Sequence, residues 1–204
     1  VIVGAGIVGC TVAWHLARRG WTDVVLLEQG PFPLAGGSTS HAPGMVFQTS
    51  SSKSLTGFAR ETVEHLSSID LDGEPCWFGV GSMEVAETPE RLRDLDRKLG
   101  WAKGWGVPGA ALLSPDEACA RMPFLDPNAF LGAFWSPTDG VARAIRACEA
   151  MIRACGGAVE LRARTPVVGI DVVGGRVTGV RTPTATIATD RVLVCAGIWG
   201  PKVG

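Results

Sequence analysis

Val1-Ile2-Val3-Gly4-Ala5-Gly6-Ile7-Val8-Gly9, with Glu28 nineteen positions after its last glycine, is the stretch that decides the fold. The β-branched opening residues predict a buried strand, and the glycines turn it sharply into a helix. Gly4 permits the tight turn, Gly6 lets backbone approach a pyrophosphate, and Gly9 lets the helix lie close on the strand. The helix carries an apolar stripe of Ile7, Val8, Val12, Ala13, Leu16 and Ala17 and ends at Arg18-Arg19-Gly20. There the basic pair suits the negative dipole end and the glycine suits a left-handed cap. Val24-Val25-Leu26-Leu27 predicts a second strand that closes on Glu28. A carboxylate there accepts hydrogen bonds from ribose 2′- and 3′-hydroxyls and repels a 2′-phosphate, so the pattern reads as FAD or NAD, not NADP. The bland alternative is a βαβ unit that holds no nucleotide. Strand, helix and acidic strand end all in place weigh against it.

A chain of 204 residues buries enough for one domain or one and a half. A net charge of −1 provides no electrostatic reason to expect nucleic acid or an anionic membrane as partner. The longest apolar runs fall far short of a membrane span. Cys10, Cys76, Cys119, Cys148, Cys155 and Cys195 form no C-x-x-C pair. They read as reduced core thiols of a cytoplasmic protein rather than as disulfides or zinc ligands. His15 and His65 read as surface or packing residues, and no metal is expected. The chain opens on the third residue before the glycine turn and stops soon after a strand. It is expected to be the N-terminal part of a larger protein, with any targeting segment unseen.

Along the chain, residues 52–69 predict a helix with Leu55, Phe58, Ala59, Val63 and Leu66 on one face. Residues 80–86 alternate like a strand, and 90–104 form a charged amphipathic helix with a solvated polar face. Ser114-Pro115-Asp116-Glu117 opens a short helix with a serine cap. Residues 130–135 predict a strand, and 143–154 a helix ended by Gly156-Gly157. Strands then follow at 159–161, 167–173, 177–180, 184–188 and 192–195, with a hairpin turn at Gly174-Gly175. The expected domain order is a βαβ core and loop over 1–46, inserted elements over 80–135, and a return to the first domain over 140–204.

A second feature separates flavin from nicotinamide. Gly36-Gly37-Ser38-Thr39-Ser40-His41-Ala42-Pro43-Gly44 follows the acidic strand end where a plain NAD domain continues into a helix and third strand. The hydroxyls and backbone N–H groups of Ser38 and Thr39 suit pyrophosphate or ribityl oxygens. Cys195-Ala196-Gly197 brings backbone close to a cofactor, with Gly197 counted among the binding positions. A thiol role for Cys195 is not expected. The seven tryptophans read as core and interface residues.

GAGIVG, LLEQG, GGSTSHAPGMVFQT and a closing VLVCAGIWG together resemble the flavin domain of the D-amino-acid-oxidase-like FAD-dependent oxidoreductases. Within them the chain is most similar to the dimethylglycine oxidase, dimethylglycine dehydrogenase and sarcosine dehydrogenase group. The resemblance covers essentially the whole chain, and GSTSHAPG is its most specific part. It implies an α/β fold, a Rossmann-like βαβ FAD domain of the glutathione-reductase/D-amino-acid-oxidase type with part of an inserted α+β substrate domain.

The resemblance further implies that His41 is bonded covalently to the 8α-methyl group of FAD. From residue type alone His41 is an ordinary loop histidine; the motif around it reverses that reading. Ile7 and Val8 match the pyrophosphate-facing turn, Glu28 and Gln29 the adenosine ribose. Ser38, Thr39, Ser40 and Met45 match positions lining the cofactor, and Val167 the residue whose backbone meets adenine. The implied reaction is oxidative demethylation of an N-methylated glycine, by hydride transfer to flavin N5. The carbon leaves as formaldehyde or passes to tetrahydrofolate, and oxygen or an electron-transfer flavoprotein takes the electrons. The family's substrate-facing histidine and tyrosine, and its folate region, match nothing in these residues, so no catalytic side chain is named. Oxidation of another amino acid or secondary amine, and a flavin module without catalysis, stand as alternatives.

Overall fold

A computed structural model describes residues 1–203, and the backbone falls into two units. The first comprises Val1–Gly44, Ile69–Cys76 and Arg143–Gly204. Its centre is a four-stranded parallel sheet in the order Val159–Arg162, Val24–Leu27, Ile2–Val3, Leu193–Val194. Ile2 lies opposite Leu26 on one side and Leu193 on the other. Parallel neighbours need crossovers, and the helix Ile7–Arg18 provides the first of them. It packs against the helix Ala144–Ala154.

The face of Ile7–Arg18 that is fully buried consists of Gly9, Cys10 and Ala13. This narrows the predicted stripe: Val8 is exposed, because small residues rather than large ones let the helix settle onto the strands. The helix ends as predicted, with Gly20 at φ +86°.

Beside the parallel sheet, Gly169–Val173, Arg176–Arg181 and Thr186–Ala188 form an antiparallel sheet. Gly174 and Gly175 both take positive φ at the first hairpin, as a two-residue turn requires. The last strand starts at Thr186 rather than 184, because Thr182 and Ala185 bond one another across a turn. A further hairpin, Asp70–Leu71 with Glu74–Pro75, has Asp72-Gly73 at its tip, both with positive φ. The Asp-Gly pair is the sequence signal of this hairpin, one that the strand pattern of its two-residue arms does not add to.

The second unit comprises Met45–Ser68 and Trp77–Ala142. Gly132–Ser136 is the central strand between Ser82–Ala86 and Ala111–Leu113. The strand begins at Ser82 rather than 80 because Gly81 sits at φ +76°, outside the β region. The helix Pro89–Gly104 packs on this sheet through Leu95 and Ala102, around the fully buried Phe134. The helix Pro115–Arg121 carries the expected serine cap as a full capping box between Ser114 and Glu117.

Met45–Val46, Gly140–Ala142 and Trp77–Phe78 form a small second sheet in this unit. The helix Lys53–Ser67 corrects one expectation. Within it Leu66 is buried, but Leu55 and Phe58 are 57% and 63% exposed. The helical period marks an apolar face, and the amino-terminal half of that face is exposed.

No helix among the described residues is long and apolar enough to cross a membrane. All six cysteines are free thiols, and four of them are buried.

Candidate functional site

The first strand ends at Val3, and Gly4 turns the chain at φ +103° while its N–H bonds Leu27 O at 2.7 Å. A Cβ on Gly4 would lie 2.5 Å from Cys195 O, and one on Gly9 only 1.9 Å from Gly4 O. Helix, turn and the segment after the last strand are therefore packed backbone to backbone. Gly6 is the N-cap of the first helix and provides no side-chain cap. The N–H groups of the first turn consequently need partners from elsewhere.

One such partner comes from the flavin-type loop predicted in the sequence. Thr39 Oγ1 accepts the Ile7 N–H at 2.9 Å, and a Cβ on Gly6 would lie 3.1 Å from that oxygen. Thr39 belongs to a single helical turn, Ser38–His41. Ser40 Oγ accepts the Gly36 N–H at 3.3 Å and helps to close the turn. His41 is exposed, with Nδ1 3.0 Å from Gly37 O. A carbonyl can only accept, so Nδ1 is the donor here, and in the neutral tautomer that matches this contact the lone pair lies on Nε2.

Glu28 is 6% exposed at the end of its strand. Its Oε2 accepts the Ala5 N–H and its Oε1 the Gly30 N–H, each at 2.8 Å. Its backbone is tied on both sides, Glu28 N–H to Arg162 O at 3.0 Å and Thr165 N–H to Glu28 O at 2.7 Å. The chain passes between these contacts through Arg164 at φ +53°, a left-handed conformation uncommon for a side-chain-bearing residue.

These elements enclose a cavity of about 480 Å³. Gly4, Gly6, Ile7, Val8, Glu28, Gln29, Ser38, Thr39, Val167 and Gly197, all singled out in the sequence, line it. Gly9 lies behind the wall, Ser40 and His41 sit on the same loop outside the lining, and Met45 is an exposed residue of the second unit.

Sequence reasoning did not single out Thr165 or Trp199, which also line the cavity. The Trp199 ring stands 3.4 Å from where a Cβ on Gly37 would be. Its signal is the closing motif itself; the tryptophan, read from the sequence as a core or interface residue, lines the cavity instead. Cys195 also contributes to the wall, and burial pushes its thiol pKa up.

A family profile described as FAD dependent oxidoreductase matches residues 1–204. Among curated proteins the chain is similar to the mitochondrial pyruvate dehydrogenase phosphatase regulatory subunit of Mus musculus. The two are 31% identical over 208 residues, covering 100% of this chain and 23% of that protein. It is 30% identical to mitochondrial sarcosine dehydrogenase of Homo sapiens, covering 100% of this chain and 23% of that protein. To human mitochondrial dimethylglycine dehydrogenase it is 29% identical, covering 100% and 24%. The chain thus spans about a quarter of the length of these relatives. Among solved structures, L-proline dehydrogenase from P. horikoshii superposes with a TM-score of 0.89 at 25% identity, covering 99% of this chain and 53% of that one.

Proposed function

This chain belongs to the FAD dependent oxidoreductase family, and from that premise we propose that the intact protein oxidises the C–N bond of an N-methylated glycine, dimethylglycine or sarcosine. The observation that carries the reading is the cavity in which the glycine turn, Glu28 and the Ser38–His41 turn meet. These residues fit FAD. Gly4 and Gly6 leave backbone bare along the wall, and the start of the first helix presents its positive dipole end to a pyrophosphate. Each carboxylate oxygen of Glu28 uses one lone pair on a backbone N–H, and the others remain for ribose hydroxyls. FAD, when bound, would supply the acceptor for a hydride from the carbon beside the amine nitrogen. His41 holds its proton on Nδ1 against Gly37 O, so Nε2 is the atom available to bond the 8α-methyl carbon. The released carbon leaves as formaldehyde or passes to tetrahydrofolate, and oxygen or an electron-transfer flavoprotein takes the electrons.

Similarity to sarcosine and dimethylglycine dehydrogenases supports this substrate class. Similarity to a protein named as a regulatory subunit favours a second reading, a flavin module without turnover. The intact protein purified with its flavin separates the two. Under the first reading dimethylglycine or sarcosine bleaches the visible flavin absorbance and yields formaldehyde; under the second neither amine does. The His41 link has its own test. His41→Ala should release its FAD on acid precipitation while the unaltered protein retains it, and equal release would remove the assignment.

A further inference from the structure

The hydroxyl of Thr39 stands at a junction that neither the glycine fingerprint nor the histidine motif explains. Its Oγ1 accepts the N–H of Ile7, 32 positions away, at 2.9 Å. Gly6 leaves room for that approach, since a Cβ there would come within 3.1 Å of the same oxygen. Thr39 also lines the cavity. A hydroxyl has one proton and two lone pairs. With one lone pair on Ile7, the proton is left for an acceptor inside the cavity, and a phosphate oxygen would make that bond charge-assisted. Two residues further on, in the same helical turn, lies His41, held through Nδ1 to Gly37 O.

We propose that Thr39 is a positioning residue: its hydroxyl clips the turn that ends in His41 to the start of the first helix, and this clip sets how fast His41 is joined to the flavin. The proposal rests on the reading above, in which the cavity holds FAD and His41 bonds it. Joining forms a bond between Nε2 and the 8α carbon and breaks a C–H bond of that methyl group. The proton goes to solvent, and the electron pair reduces the ring system, from which dioxygen or another electron acceptor removes it. Thr39 takes no part in these bond changes. It holds the imidazole where they occur, once the phosphates are seated against the same hydroxyl.

The experiment compares Thr39→Val, which keeps the shape but loses the hydroxyl, with Thr39→Ser, which keeps it. Each is made in the intact protein, prepared without flavin and supplied with saturating FAD. Total bound flavin and the part retained after acid precipitation are followed over time. Thr39→Val should bind FAD but attach it about fivefold more slowly, as expected for one lost hydrogen bond. Thr39→Ser should stay within about twofold of the unaltered protein. Hydrogen exchange at the Ile7 amide, read before flavin is added, should quicken in Thr39→Val alone. Attachment by Thr39→Val at the unaltered rate would overturn the proposal. So would Thr39→Ser as slow as Thr39→Val, or a Thr39→Val protein that binds no FAD at saturation. If the unaltered protein releases all its flavin in acid, the His41 reading fails first and the clip falls with it. Retention in every variant at one rate removes the clip and leaves that reading intact.

Discussion

Oε2 of Glu28 accepts the backbone N–H of Ala5 at 2.8 Å, so the acidic end of the second strand is bonded directly to the glycine turn after the first. Oε1 holds Gly30 in the same way. Glu28→Gln would set an amide NH₂ against one of these N–H donors. The variant should lose about 2–3 kcal/mol through a broken charge-assisted bond and a buried donor without a partner. Thermal unfolding of the flavin-free protein measures this. A group serving only the ribose would leave that midpoint unchanged.

Two glycine-to-alanine changes should differ sharply although both touch the first helix. At Gly9 a Cβ would lie 1.9 Å from the carbonyl oxygen of Gly4, so Gly9→Ala forces strand and helix apart. A cost of about 3 kcal/mol or more is expected, with loss of bound flavin. At Gly20 nothing lies within 4 Å, and only the positive φ of +86° opposes a side chain. Gly20→Ala should cost about 1 kcal/mol and keep its flavin. Flavin content per protein and the unfolding midpoint, read together, check both.

In the second unit Asp139, 1% exposed, accepts the Gln48 N–H at 2.9 Å and the Ser82 hydroxyl at 2.6 Å. Asp139→Ala leaves both donors buried without an acceptor and should destabilise the protein by about 2–4 kcal/mol. Asp139→Asn keeps one acceptor oxygen and should cost less. Burial already holds the Lys98 ammonium below the usual lysine range, and the charge of Asp139 opposes that shift. Asp139→Asn should therefore lower the pH at which Lys98 loses its proton, a change that ¹⁵N-detected lysine titration would read.

Cys195 lines the cavity, and burial pushes its thiol pKa up. The thiolate is the reactive form, so near neutral pH the residue should be alkylated by N-ethylmaleimide more slowly than a free cysteine. Its rate should still climb about tenfold per pH unit where that of an unburied thiol has levelled off. Bound FAD should slow it further. Peptide mass spectrometry after timed labelling checks both effects.

Much of the first unit was legible because its signals are local. Val1 to Gly9 combines an apolar strand with glycines at fixed offsets, and Gly174-Gly175 marks a hairpin by backbone freedom alone. The pattern around Leu55 and Phe58 shows the limit of such reading. A helical period identifies an apolar face without identifying what covers it, and these two side chains are largely exposed. Ser82, Gln48 and Asp139 offered no pattern to read, since 57 and 91 positions separate the carboxylate from its donors.

By itself the amino-acid order determined the strand–turn–helix–strand opening, the acidic strand end and the loop with its histidine, because sterics and periodicity act between near neighbours in the chain. Tertiary structure alone decided that Val159–Arg162 lies beside Val24–Leu27, that the Glu28 carboxylate reaches the Ala5 N–H, and that Thr39 meets Ile7. Those contacts exist only once distant segments are brought within about 3 Å of one another, a geometry that hydrogen bonding demands and sequence spacing does not encode.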